Sequence, residues 1–451
     1  MDKNIKARVL SYLTVVLVLI LFYLIHIDFE VDKTHILLMF FGVILLAPFF
    51  FLNDLFHPII IFNVYNIFIW LNFYSKYNSE NTTLRYYQNY DIYDYVYSYS
   101  LLVIIVWFLF FYVGYYFGGK IDINKRSKQF INKELTFKNP KLIGIVLFFI
   151  SALSFIYLQY TVGGIGLMIE NMVNRREMYS GLAYITNLIL LGGLSSIFLL
   201  IAGYRKTSLV ILLISSLFML LQGGRSGFIF GIIIPYIIIY NFFIKKIRLK
   251  YLIILTPIVL LAYEALGNLR LHGKLGINSS GIFNLIIKSA NSREVADILP
   301  SLIGALHDNY LQYGLGKPFL NIIYAPIPRS FWSDKPIIDD AGYIGYKLMG
   351  EGYWGLPMGP YGWAYYNFSW IGVILFSIIT GFLVGKIAMS LKNKNNLFML
   401  ILYSQIFLSI FEVFQTSSQI SIIKSILILV FIYYFDKKYY IFMKNKEATI
   451  K

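Results

Sequence analysis

The feature that most constrains this chain is a series of apolar blocks, each of about 16–22 residues, recurring almost from end to end. A bilayer's hydrocarbon core is about 30 Å thick, a distance that about 20 helical residues cross. Inside that core no water is present to bond the backbone, so each block must satisfy its own N–H and C=O groups as a helix. The blocks predict helices over 9–26, 35–52, 58–74, 97–118, 142–161, 184–203, 208–222, 226–243, 251–267, 365–385, 397–414 and 421–435. The chain therefore reads as all-α, a polytopic integral membrane protein of about 12 transmembrane helices. Charged residues make up 14% of it, against about a quarter in a soluble domain. No small-residue cleavage site follows the first block, which is read as a retained helix. Cysteine is absent, which excludes disulfides, thiolate metal sites and cysteine nucleophiles.

A net charge of +16 invites a nucleic-acid reading, but its placement argues against one. With the N-terminus inside, the basic runs "GKIDINKRSKQFINKELTFKNPK" (119–141) and "KKIRLK" (245–250) both fall on the inner side. That is the bias of the positive-inside rule. It predicts both termini in the cytoplasm, the lipid bilayer as a partner and no nucleic acid.

Three regions follow. Residues 1–267 hold nine helices with short connections, 268–364 form one large outer-face loop, and 365–451 hold three helices and a basic cytoplasmic tail. A loop that long is usually functional. Within it "GIFNLIIKSA" (281–290) suits the membrane surface. "NSREVADILPSLIGALHDNY" (291–310) opens on Asn291 as an N-cap with Glu294 three residues on. Pro300 is expected to bend or restart that helix.

Candidate chemistry gathers on the outer face. Arg225 stands in "QGGRSG" (222–227) where helix eight begins, Arg270 shortly follows helix nine, and Arg329 sits in the stiff corner "YAPIPRSFWSDKP" (324–336). A helix N-terminus favours anions, and the guanidinium fork matches phosphate oxygens. A lipid-linked diphosphate would need such residues; anchoring to ordinary headgroups is the plainer alternative. His307 and Asp308 in "ALHDNY" are the first choice for a catalytic base, since a neighbouring carboxylate steadies an imidazolium. Glu264, within helix nine, is a further catalytic candidate that would pair with Arg225 or Arg270 in the empty site. Glu412 and Lys424 flank the "QTSSQ" turn evenly and are expected to form an ion pair. Trp332, Tyr353, Trp354 and Tyr361 offer faces for stacking on sugar rings, a role they share with the aromatic belt of the membrane interface. No metal ligand set stands out, and no cofactor is expected.

The Gly-Gly-Arg-Ser-Gly turn, "PIPRSFWSDKP", and the Gly- and Tyr-rich run into "YYNFSWIGVILFSIITG" together resemble the Wzy-type oligosaccharide repeat-unit polymerases, which include O-antigen polymerases. The likeness covers roughly residues 140–390 in order. It implies a GT-C-like membrane glycosyltransferase of the bacterial cytoplasmic (inner) membrane, with its active site on the periplasmic side. Such enzymes move a growing glycan from undecaprenyl diphosphate to the non-reducing end of a lipid-linked repeat unit, building lipopolysaccharide O-antigen, capsule or exopolysaccharide. Outer-loop arginines serve the family, a part that Arg225, Arg270 and Arg329 take here. The resemblance also leaves room for a chain-length regulator as a partner. Two alternatives stay open: an O-antigen ligase, with the same donor and another acceptor, and a lipid-linked oligosaccharide flippase. The small number of charges inside the membrane blocks favours a one-sided enzyme over a flippase.

Overall fold

The computed structural model describes residues 33–52, 54–77, 93–120, 137–171, 174, 178–179, 181–224, 227–247, 295–324, 327, 331–335, 340–349, 358–391 and 396–450. Helices α1 (Lys33–Phe51), α2 (Pro58–Tyr77), α3 (Tyr93–Lys120), α4 (Pro140–Val162), α5 (Ile165–Glu170), α6 (Ala183–Ile189) and α7 (Leu191–Ile201) come first. Then follow α8 (Arg205–Leu221), α9 (Gly227–Ile244), α10 (Val295–His307), α11 (Lys317–Tyr324), α12 (Asp340–Met349), α13 (Gly359–Leu391), α14 (Leu397–Ile406) and α15 (Thr416–Ile450). No strand occurs among the described residues. Seven helical segments there are long and apolar enough to cross a membrane. The expected helices over 9–26 and 251–267 lie outside the described residues.

By internal contacts the chain divides into two compact units. The first takes in Met1–Ile123, Ile286–Met389 and Phe407–Ile423, and the second Asn124–Leu285, Ser390–Ile406 and Lys424–Lys451.

In the first unit α1 packs on α2 and α3, and α10 packs on α2, α3 and α12. Its core is aromatic: Phe62 stacks on Phe411 with ring centroids 4.0 Å apart, and Trp107 on Phe111 at 5.1 Å. Among the described residues, α3 and α13 approach each other closely. A Cβ added to Gly114 would stand 2.1 Å from the Ile378 carbonyl oxygen, and one on Gly118 2.2 Å from that of Phe382. From the other side, a Cβ on Gly381 would stand 2.0 Å from the Phe111 carbonyl oxygen and one on Gly385 2.6 Å from that of Tyr115. Two Gly-x-x-x-Gly pairs thus face each other with no room for any side chain, the close approach that small residues permit in lipid.

The expected surface segment 281–290, with Asn291 and Glu294, lies outside the described residues; the helix expected after it is α10. Every residue from Val295 to Leu306 is buried, and the helix runs through Pro300 without ending. Asn72 of α2 accepts the Ala296 N–H at 2.9 Å and so caps its first turn. Asp297, also buried, pairs with Lys76 of α2 at 3.1 Å.

In the second unit α7 packs on α4 and α8, and α9 on α8 and α14. Small polar residues let the backbones meet: Ser195 Oγ donates to the Gly144 carbonyl at 2.6 Å and Ser151 Oγ to that of Ile189 at 2.7 Å. Asp436 of α15 is buried and accepts the backbone N–H groups of Lys138 (2.5 Å) and Asn139 (2.8 Å). An anion there satisfies donors just ahead of α4 and favours its positive end.

Candidate functional site

α10 ends where its chemistry begins. Asn309 takes up φ 56°, the left-handed turn that asparagine tolerates better than most residues. The Leu311 N–H then reaches back to the Ala305 carbonyl at 2.9 Å, and Leu311 is buried beneath it. This closure leaves His307 and Asp308 at an open helix end. His307 Nδ1 and Asp308 Oδ1 stand 3.1 Å apart, with the imidazole 59% exposed and the carboxylate 25%. Tyr310 donates to the Lys347 carbonyl at 3.1 Å, which ties this corner to α12.

Beside the pair lies a chain of aromatic rings. Tyr95 faces His307 with centroids 6.0 Å apart and lies 5.5 Å from Tyr99, one turn on along α3. The Tyr99 hydroxyl accepts the Trp370 indole N–H at 2.5 Å and the Tyr365 hydroxyl at 3.3 Å. Tyr365 and Trp370 stand edge to face at 6.1 Å, and Tyr313 closes the row 6.3 Å from Tyr365. Tyr95 is 54% exposed, Tyr313 36% and Tyr365 only 6%, so the row is open at both ends and buried between them.

A break in α13 sets up this row. Phe368 and Ser369 leave helical geometry, Ser369 with φ 53° and ψ −140°. The carbonyls freed at the break are claimed by the loop after α10: Gly314 N–H bonds Tyr366 O at 3.0 Å and Leu315 N–H bonds Asn367 O at 3.1 Å. Asn367, fully buried, accepts the Gly316 N–H on its side chain at 3.2 Å and donates to the Trp363 carbonyl at 3.0 Å. Gly372 rests against the Ala364 carbonyl, 2.2 Å from where a Cβ would sit. Tyr365 and Trp370, on opposite sides of the break, are thereby turned onto one tyrosine.

Of the residues expected from sequence, His307 and Asp308 come together. Trp332 is 36% exposed and meets Tyr324 edge to face at 5.7 Å, its ring contact among the described residues. Tyr361 is fully buried with its ring on Trp107 at 6.3 Å, so in this structure neither face is open to a sugar. Arg225, Arg270, Arg329, Glu264, Tyr353 and Trp354 lie outside the described residues. The expected Glu412–Lys424 ion pair is replaced. Glu412 accepts the Ser418 hydroxyl at 3.3 Å, and the Gln415 amide, turned so that its oxygen takes the Trp363 indole N–H, donates to Glu412 at 2.9 Å. Lys424 donates to Asn187 Oδ1 at 2.5 Å. Neutral donors near at hand bond the carboxylate without ordering a long side chain. Among the described residues no three His, Asp or Glu side chains stand close enough to share a metal ion.

Sequence reasoning missed Tyr99, Tyr313, Tyr365 and Trp370. The one local trace was Tyr95 and Tyr99 spaced four apart, on a common helix face.

The profile of the family described as "O-antigen polysaccharide polymerase Wzy" matches residues 8–446. The chain belongs to this family. No curated protein and no solved structure matches it. The multi-pass helical fold is that of a bacterial membrane protein, and family membership makes it a glycosyltransferase-type polymerase acting on lipid-linked oligosaccharides.

Proposed function

We propose that this member of the Wzy family transfers a growing glycan from undecaprenyl diphosphate to the non-reducing end of a second lipid-linked repeat unit, on the outer face of the membrane. The observation that carries the reading is the His307–Asp308 pair, 3.1 Å apart at the rim of an aromatic row. His307 takes the proton of the acceptor hydroxyl as its oxygen attacks the anomeric carbon. Asp308 holds the imidazole and stabilises the imidazolium that forms. Tyr95 and Tyr313, each partly exposed, supply faces on which acceptor sugars stack. The bond from the anomeric carbon to the diphosphate oxygen breaks, and the leaving diphosphate carries the electron pair. Arg225, Arg270 and Arg329 stabilise the charge that develops on it, more in the transition state than before it. Attack opposite the leaving group inverts the anomeric centre. The fold is read as GT-C-like with about 12 crossings and both termini cytoplasmic.

The test is polymer length on a gel, in a deletion strain complemented with His307→Ala, Arg225→Lys, Arg225→Ala or Arg329→Ala at matched membrane expression. Loss of a general base lowers the rate by about a hundredfold or more, which collapses the ladder to single repeats. A normal ladder from His307→Ala would remove the proposed base. Normal ladders from all three arginine variants would return Arg225 and Arg329 to headgroup anchors.

A further inference from the structure

Lys424 stands about two turns inside α15, within the segment Ser417–Phe442 that is long and apolar enough to span the bilayer. Polar residues precede it up to Ser421, so at about 1.5 Å per residue Lys424 lies roughly 5 Å past the last of them, at the edge of the apolar segment. A cation entering that segment is costly unless something answers its charge. Its polar partner among the described residues is the amide oxygen of Asn187 on α6, at 2.5 Å. That bond occupies one of the three ammonium donors and neutralises no charge.

The surroundings name the counter-ion's carrier. Three and seven residues further along α15, on the face that Lys424 occupies, come Leu427, 62% exposed, and Phe431, 72% exposed. Tyr184, three residues before Asn187 on α6, is 70% exposed. An ammonium at the head of an open apolar strip matches a molecule with an anionic head and a hydrocarbon tail. A lysine free to follow its own solvation would extend toward the nearer membrane surface. This one is instead bonded to Asn187 of the neighbouring helix, which fixes where the head must sit.

We infer that Lys424 and Asn187 form the head of a lipid-phosphate site, in which the ammonium binds a phosphate oxygen and the tail lies along Leu427 and Phe431. The site takes a phosphate carried by a lipid, whether a phospholipid or an isoprenoid diphosphate. It does not depend on the polymerase reading, because binding here requires no transfer chemistry.

The experiment is native mass spectrometry of the full chain in detergent, titrated separately with phosphatidylglycerol, undecaprenyl diphosphate and inorganic phosphate. Loss of a charge-assisted hydrogen bond weakens binding by on the order of tenfold. Lys424→Gln should therefore retain the lipid about tenfold less than wild type, and Lys424→Arg should retain it. A defect for both lipids identifies a general phosphate-lipid site, and a defect for undecaprenyl diphosphate alone identifies a carrier-lipid site. Equal retention by Lys424→Gln and wild type, with an unchanged unfolding midpoint, would overturn the site. So would displacement of the lipid by inorganic phosphate, since the apolar strip would then contribute nothing. Should Lys424→Gln fail to fold, the Arg variant against Asn187→Ala decides: charge retained but unheld is expected to weaken retention, and no change would overturn the assignment. A chain that binds lipid yet builds no polymer fails only the polymerase reading.

Discussion

Tyr99 carries more of the candidate site than either member of the His307–Asp308 pair, because one hydroxyl holds two other rings. It accepts from Trp370 and Tyr365 at once. Tyr99→Phe would leave the Trp370 indole N–H without that acceptor, at a cost of about 1–3 kcal/mol. The expected outcome is a lower unfolding midpoint together with shortened polymer. A variant with normal polymer would show that the row is packing alone. The pair itself was legible in sequence because its members are adjacent. The aromatic row was not: Tyr99 and Trp370 are 271 positions apart, and only the packing of α13 on α3 brings them together. Lys424 was misread for a related reason. Its even spacing from Glu412 about a turn suggested a pair, whereas Glu412 is bonded by the nearby Ser418 and Gln415 and Lys424 reaches Asn187, 237 positions away.

Among the described helices, the α3–α13 contact sets a tight limit on sequence. A methyl group on Gly381 would overlap the Phe111 carbonyl, whereas Gly119 on the same helix as Phe111 has open space around its Cβ position. Gly381→Ala should lower the unfolding midpoint, costing about 1–3 kcal/mol as the backbones part. Gly119→Ala should leave it unchanged. Equal midpoints for the two variants in detergent would show that the helices separate freely. Most of the described apolar helices fell near their expected bounds because long apolar runs have no other stable form in lipid, although the helix expected over 397–414 ends at Ile406. α10 escaped that logic. At 13 residues it is too short to span a bilayer, and its polar flanks marked it as loop. It is buried by packing on α2 and α3, with Asn72 and Lys76 of α2 bonding its first turn, and no local pattern reveals those partners.

For the molecule as a whole, the proposed topology makes opposite demands on two exposed positions. Asn309 should face the outside and Lys438 the cytoplasm. Because the chain has no cysteine, Asn309→Cys and Lys438→Cys each introduce a single thiol into an otherwise unreactive protein. A membrane-impermeant maleimide should label the first in intact cells and the second only after permeabilisation. The reverse pattern would invert the chain and put the His307–Asp308 pair on the wrong side for its proposed substrates.

The break in α13 has one more consequence. Ser369 holds a backbone conformation, φ 53° with ψ −140°, that is natural only to glycine and costs other residues about 1–3 kcal/mol. The protein is thus less stable than its own fold permits, at the joint that aims Trp370 at Tyr99. Selection for heat resistance should find Ser369→Gly readily. It should then meet a trade-off, because the residue that relieves the strain also frees the joint: survivors of a thermal screen at this position are expected to melt later and to make shorter polymer.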